Sequence, residues 1–260
     1  MSKNGLCLFC AALMGLALAA PAAAQSDGPL VSDRPDFSES TSTIAPRHVQ
    51  VEAGLTWQEI GEEDSLSTGE VLVRIGLGES LEARLGVGSW TRIDDGRETL
   101  DGYEDPVIQV KLRLTPPVDE RPPGLPAVAF LLGTSVPVGS RDLTADEWEP
   151  EARLAFDWNF TDRLSLGANL GAGAPTDGGE RFAQALASAS LGITATDRTG
   201  FFVEAYGFSR ETPDGDPTQY VDTGATFALR DGLQLDARVG FGLNDPSPER
   251  WIGVGVAARW

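Results

Sequence analysis

From His48 onward, apolar and polar side chains alternate with a period close to two. That repeat belongs to strands, whose successive side chains point to opposite faces. Residues 233–243 show it most clearly: Leu233, Leu235, Ala237, Val239 and Phe241 alternate with Gln234, Asp236, Arg238 and Gly240. The pattern predicts twelve strands, at about 48–60, 67–77, 81–93, 105–115, 126–138, 150–160, 163–173, 182–195, 200–209, 218–229, 233–243 and 251–260. Strand five is apolar on both faces, and strand eight, rich in Ala and Ser, is weakly specified in register. No stretch carries apolar residues at the three-and-four spacing of an amphipathic helix.

The connections alternate in length. Residues 78–80, 161–163, 196–199 and 230–232 read as tight turns, with Gly, Asp or Ser where positive φ or side-chain capping helps. Between them fall longer acidic loops, at residues 61–66, 94–104, 139–149, 174–181, 210–217 and 244–250. The exception is 116–126, a proline-rich connection where a short turn is due. Strands of about ten residues joined in this way describe an all-β, transmembrane, antiparallel up-and-down β-barrel of about twelve strands. An even number puts both barrel ends on the periplasmic side. The competing reading is a soluble, secreted β-sandwich or lipocalin-like binding protein. The last strand, W-I-G-V-G-V-A-A-R-W, favours the barrel. Ile252, Val254, Val256, Ala258 and Trp260 suit lipid on one face, while Trp251, Gly253, Gly255, Ala257 and Arg259 suit a wet interior on the other. A strand that stops on an aromatic, here Trp260, resembles the C-terminal signal read by the barrel-assembly machinery. Trp57, Trp90, Trp148 and Trp251 fall at predicted outer strand ends and Trp158 and Trp260 at inner ends, as an interfacial belt requires.

The start of the chain sets the compartment. Lys3 is followed by an apolar run over residues 5–18, which is too short to span a bilayer as a helix, and then by Pro21-Ala22-Ala23-Ala24. This is a signal peptide, residues 1–24, cleaved before Gln25. Residues 25–47 form a periplasmic N-terminal segment and residues 48–260 the barrel of a Gram-negative outer membrane. Both cysteines, Cys7 and Cys10, leave with the signal, so the mature chain can form neither a disulfide nor a thiolate metal site. A formal net charge of −19 argues against nucleic acid as a partner.

The polar face of the predicted strands holds both signs of charge. Glu52, Glu82, Asp157, Glu204, Asp222 and Asp236 face the lumen, as do Arg74, Arg84, Lys111, Arg113, Arg153 and Arg238. Glu151 and Arg259 share that face. Twelve strands tilted by ~40° at a ~4.75 Å spacing give a backbone radius of roughly 12 Å. Inward Arg and Glu side chains fill much of that, leaving a narrow salt-bridged channel or ion pairs that only rigidify the barrel. Catalysis finds little support. The only histidine, His48, stands at the periplasmic start of strand one, away from the outer rim where a Ser-His pair would work. No cofactor or metal is implied. The loop acids, such as Asp94-Asp95-Gly96 and Asp214-Gly215-Asp216, lack calcium-loop spacing and read as solvating charge, bridged to lipopolysaccharide by divalent cations.

One segment stands apart. Before strand one lies Asp33-Arg34-Pro35-Asp36-Phe37-Ser38-Glu39-Ser40, with Pro46 after it. This run resembles the D-R-P-D-F/x-T/S-E-S motif of the outer-membrane transporter family named for the MetA pathway of phenol degradation. Gly102-Tyr103-Glu104-Asp105, leading into Lys111-Leu112-Arg113, and Pro137-Val138-Gly139 are similar to further motifs of that family. The resemblance implies an outer-membrane barrel for uptake of aromatic or other small hydrophobic compounds, its solute undefined. A structural or adhesion-type barrel without transport is the alternative. Proline lacks a donor, so the segment does not join the sheet as a central strand. It is expected to fold back into the barrel mouth as a plug, with Arg34 and Asp36 paired to inward charges and Phe37 as an apolar stopper. The plainer expectation is a periplasmic tether.

Overall fold

The structure, a computed structural model, describes residues 30–61, 63–122, 124–245 and 247–260. The signal peptide and its cleavage site lie outside them. The first six strands are β1 (Val49–Ile60), β2 (Glu63–Gly78), β3 (Leu81–Val87), β4 (Trp90–Asp94), β5 (Thr99–Tyr103) and β6 (Val107–Arg113). Then come β7 (Ala127–Ser135), β8 (Glu149–Thr161), β9 (Leu164–Gly173), β10 (Thr176–Asp177), β11 (Glu180–Arg181) and β12 (Gln184–Thr196). The last four are β13 (Thr199–Phe208), β14 (Thr218–Arg230), β15 (Leu233–Gly242) and β16 (Arg250–Arg259). All pairing is antiparallel; around the wall the order is β1-β2-β3-β6-β7-β8-β9-β12-β13-β14-β15-β16, and β1 also pairs with β16, which closes the ring. Twelve strands surround the axis; β4–β5 and β10–β11 are hairpins above the wall.

Burial in this fold is inverted relative to a soluble protein. Arg74, Lys111, Glu52 and Glu82 are completely buried, while Leu77, Leu170, Val203 and Ile252 are more than half exposed. Backbone groups must be satisfied within the sheet because lipid offers no partners, and closure leaves no edge. The apolar strand faces therefore meet hydrocarbon and the charged faces meet one another; Val256 and Ala258, expected to face lipid, are instead buried in a cluster with Ala53 and Leu233, against which Trp260 packs. Strand five, ambiguous in sequence, becomes β7. It turns Ala127, Ala129 and Leu131 inward and buries them, with Leu131 opposite Lys111 and Ala129 opposite Arg113.

Two expected loops are instead strand. Residues 61–66, read as a loop, mostly belong to β2, which turns back from β1 after Ile60. A bulge at Gly69 and Glu70, with φ of +110° and +41°, reverses the facing of side chains. Below it Arg74 points inward; above it Ser65 and Ser67 share the inward face of Gln58 and Thr56. A bulge adds one residue to one strand, so a fixed period reads correctly on only one side of it. Residues 94–104 form the β4–β5 hairpin. The carboxylate of Asp95 caps its turn, accepting the N–H groups of Arg97 (2.8 Å) and Glu98 (2.7 Å). These two backbone donors hold the Asp95 carboxyl below the usual range. The Asp94-Asp95-Gly96 acids are thus turn-forming groups. The proline-rich connection holds a short 3₁₀ turn, Val118–Glu120.

Candidate functional site

The segment before β1 lies within the barrel. Its backbone is held by side chains from most of the wall, in an order the sheet register sets. Glu52 on β1 accepts the N–H groups of Asp33 (3.1 Å) and Arg34 (3.1 Å). Glu82 on β3 accepts that of Ile44 (2.8 Å), and Asp157 on β8 both the N–H (2.7 Å) and hydroxyl (2.6 Å) of Thr41. Asn169 on β9 grips Glu39 twice, accepting its N–H (2.7 Å) and donating to its carbonyl (2.9 Å). Glu204 on β13 accepts from Phe37 (2.6 Å) and Ser38 (2.9 Å). A segment without a sheet of its own thereby satisfies its polar groups against the inward face of one.

Charge concentrates around Asp33. Its carboxylate receives Arg84 (2.6 Å), Arg74 (3.0 Å) and Lys111 (3.1 Å). Glu39 takes the other arm of Arg84 (2.8 Å) and lies 3.5 Å from Lys111, while Arg74 also reaches Glu52 (3.1 Å) and Glu82 (2.8 Å). Burial alone would raise the Asp33 carboxyl, but Arg74, Lys111 and Arg84 outweigh it and hold it well below the usual carboxylate range. Arg34 pairs with Glu70 and with Asp236 (3.4 Å). Its guanidinium lies in a slot between Gly54 and Gly255, which face each other across β1 and β16. A Cβ on either would come within 2.4 Å of it. The carbonyl of Pro35, which follows a cis peptide bond, accepts from Arg238 (2.9 Å).

Asp36 departs from expectation: it pairs with no inward cation among the described residues and faces Ser190, Glu204 and Asp222. Burial and then Glu204 push its carboxyl well above the ordinary value. Glu204 and Asp222 stand directly opposite each other on β13 and β14. Neither oxygen of Asp222 has a hydrogen-bond partner among the described residues. The pairing foreseen for Asp36 falls to Asp33, because β2, β3 and β6 carry the cations and β13–β14 the acids. Of the remaining lumenal charges, Arg153 pairs with Glu151 (2.9 Å) and reaches the Phe37 carbonyl (3.4 Å). Arg113 lies lower, donating to the Glu79 carbonyl (2.5 Å).

Phe37 meets an aromatic wall. Its ring stacks on Tyr206 at 4.4 Å and 12°, and Tyr206 stacks on Tyr220 at 4.7 Å and 16°. Phe208 and Trp251 contact this stack edge-on. The Arg153 guanidinium lies over the Phe37 ring at 4.8 Å. On the side of Phe37 toward the long connections opens a cavity of about 430 Å³, lined by these rings with Thr56, Gln58, Glu211 and Arg238. A second cavity of about 530 Å³ lies at the opposite end of the barrel, near the short turns, bounded by Leu30, Thr226 and Gln234. The N-terminal segment stands between the two. Trp251 lies on the wet-interior face that its strand parity predicts, but it is not part of an interfacial belt: it is buried against Tyr220, over Gly240, its register partner. Tyr206, Phe208, Tyr220 and Trp251 share the strand parity of Glu204, Asp222 and Arg259, and it is their convergence into one stack that the sequence does not show.

The two further family-like motifs come together at the rim that carries the long connections. Asp105 accepts the N–H groups of Val138 (3.0 Å) and Gly139 (2.7 Å), so the segment after Gly102 clamps the loop containing Pro137-Val138-Gly139. Their role there is structural.

A family model described as "Putative MetA-pathway of phenol degradation" matches residues 32–260. No curated protein matches the sequence. The fold is similar to that of the COG4313 outer membrane channel from Pseudomonas putida F1, with a TM-score of 0.69 and 10% identity over 88% of this chain and 100% of that one. It is also similar to the NanC porin, with a TM-score of 0.55 and 10% identity over 81% of this chain and 98% of that one. The KdgM porin gives 0.54 and 10%, over 80% and 98%. Identities this low speak to the fold alone.

Proposed function

This chain belongs to the family described as "Putative MetA-pathway of phenol degradation" and is a β-barrel of the Gram-negative outer membrane; from that premise we propose a channel for small aromatic or hydrophobic compounds. The N-terminal segment closes the lumen at rest. The observation that carries this reading is the aromatic-walled cavity on the outer side of Phe37. Rings supply flat apolar area with few rotatable bonds, and Gln58, Thr56 and Glu211 leave hydrogen-bonding groups for a phenolic hydroxyl. The acidic outer loops meet lipopolysaccharide through divalent cations, and the barrel-assembly machinery inserts the chain. No catalytic role is assigned. His48 precedes β1, its Nδ1 3.2 Å from the Pro46 carbonyl, at the end of the barrel away from the aromatic cavity.

The test is flux. Liposomes carrying the folded barrel should admit phenol well above protein-free liposomes and should exclude glucose. Equal entry of phenol with and without protein would remove the transport reading and leave a structural barrel.

A further inference from the structure

Phe37 has the surroundings of a bound ligand rather than of a core residue. Its ring stacks on Tyr206, lies under the Arg153 guanidinium and borders the outer cavity. Tyr206 and Arg153 come from β13 and β8, three strands apart around the wall. The wall does not depend on Phe37 for its shape. Tyr206 stays stacked on Tyr220, with Trp251 against both. If Phe37 leaves, the place it filled persists.

We propose that this place is the binding site for the ring of an incoming solute, and that Phe37 is a built-in competitor for it. The inference rests on the reading of the barrel as an aromatic channel. The preferred ligand is a neutral, electron-rich, single-ring arene. A guanidinium over a ring is attracted to the negative charge of its face, which electron-donating substituents increase. A cavity of about 430 Å³ is at the small end of the range for ligand sites, roughly 300–1,000 Å³. It opens on the outer side, so a solute arriving from outside meets Phe37 before any other part of the plug.

The plug is held unevenly, which lets this one end yield. Asp33 is fixed by three cations, Arg74, Arg84 and Lys111. Phe37 and Ser38 are held by hydrogen bonds to Glu204, Ser188 and Arg153 instead of by a cluster of cations on one carboxylate, and Glu204 faces Asp222 and Asp36. A ring that replaces Phe37 on Tyr206 therefore frees residues 36–38 while Asp33 stays anchored. Solute binding and loosening of the plug become one exchange.

The experiment measures binding of 4-methoxyphenol and benzonitrile to the full-length folded barrel by calorimetry, with phenol flux into liposomes measured in parallel. Phe37→Ala should raise the affinity for 4-methoxyphenol about three- to tenfold, the worth of one aromatic pair. Phe37→Leu keeps apolar volume without the stack and should give a smaller gain, so the series holds even if the alanine variant folds poorly. Arg153→Gln should erase the preference for 4-methoxyphenol over benzonitrile. Saturating 4-methoxyphenol should speed hydrogen exchange at Phe37 and Ser38 but not at Asp33. An affinity that is unchanged or lowered in both Phe37 variants overturns the proposal. Phenol flux without that gain removes this proposal alone; the gain without flux removes the transport reading alone.

Discussion

Asp33 and Asp36 lie three positions apart and respond to pH in opposite senses. Asp33 is held by three cations and its carboxyl is depressed. Its contribution is present above the unfolded value of about 3.9 and is lost only as pH falls through the depressed one. Asp36 is buried beside Glu204, and its carboxyl is raised. Its contribution is full below about 3.9 and is lost as pH climbs through the raised value. The plug should therefore loosen on the alkaline side. Protection factors of the amides of residues 31–44, which remove the base-catalysed rise of intrinsic exchange with pH, should fall between pH 5 and 9 in the wild type. In Asp36→Asn they should stay nearly constant, and a wild-type profile in that variant would remove Asp36 as the cause. Asp33→Asn should act oppositely and more strongly. Removing one partner of a buried ionic network costs about 3–5 kcal/mol. The expected readout is loss of exchange protection over the whole segment at pH 7. The sequence placed Arg34 and Asp36 as the paired residues, and the register reassigned half of that. Which cations converge on one carboxylate depends on neighbours around a closed ring, which a linear reading does not contain.

At the scale of elements, the lipid and lumen faces of β14 and β15 predict different tolerance to charge. Leu235 and Val239 on β15 face lipid, and arginine at either should cost ~2–4 kcal/mol near the midplane. Thr226 on β14 faces the cavity at the short-turn end, and Thr226→Arg should cost far less. Folding yields and urea midpoints in lipid vesicles compare the two; equal costs would mean that the faces are misassigned. The plug is the second element to test. Deleting residues 25–46 should raise single-channel conductance in a planar bilayer, because it joins the two cavities. Unchanged conductance would return the segment to the role of a tether. Most strands were legible because a lumen and a bilayer impose opposite demands on alternate residues. The outer end of β2 was not, because the Gly69–Glu70 bulge inverts the parity there. The inward face of Trp251 was legible, but its place in a stack was not. Tryptophan suits both an interfacial belt and a buried stack, and its height along the strand fits either.

For the whole molecule, the testable property is orientation. A protease-accessible tag inserted within residues 94–104 or 142–149 should be reached from outside intact cells. A tag between Asp231 and Gly232, at the short β14–β15 turn, should not. The reverse labelling would turn the barrel over. The sequence alone determined the strand number, the two faces, the alternation of connections and the family likeness. All of these follow from local periodicity or short motifs, so each is written within a few residues of itself. It also marked residues 33–40 as a piece that could not be a strand. Only the tertiary structure decided where that piece goes and what it touches. Closing the ring brings β2, β3 and β6 together around Asp33, and β13, β14 and β16 together around Phe37. Arg34 and Asp236 are 202 positions apart along the chain. No local pattern encodes a contact of that range; it exists because a closed sheet gives every inward side chain the same axis to share.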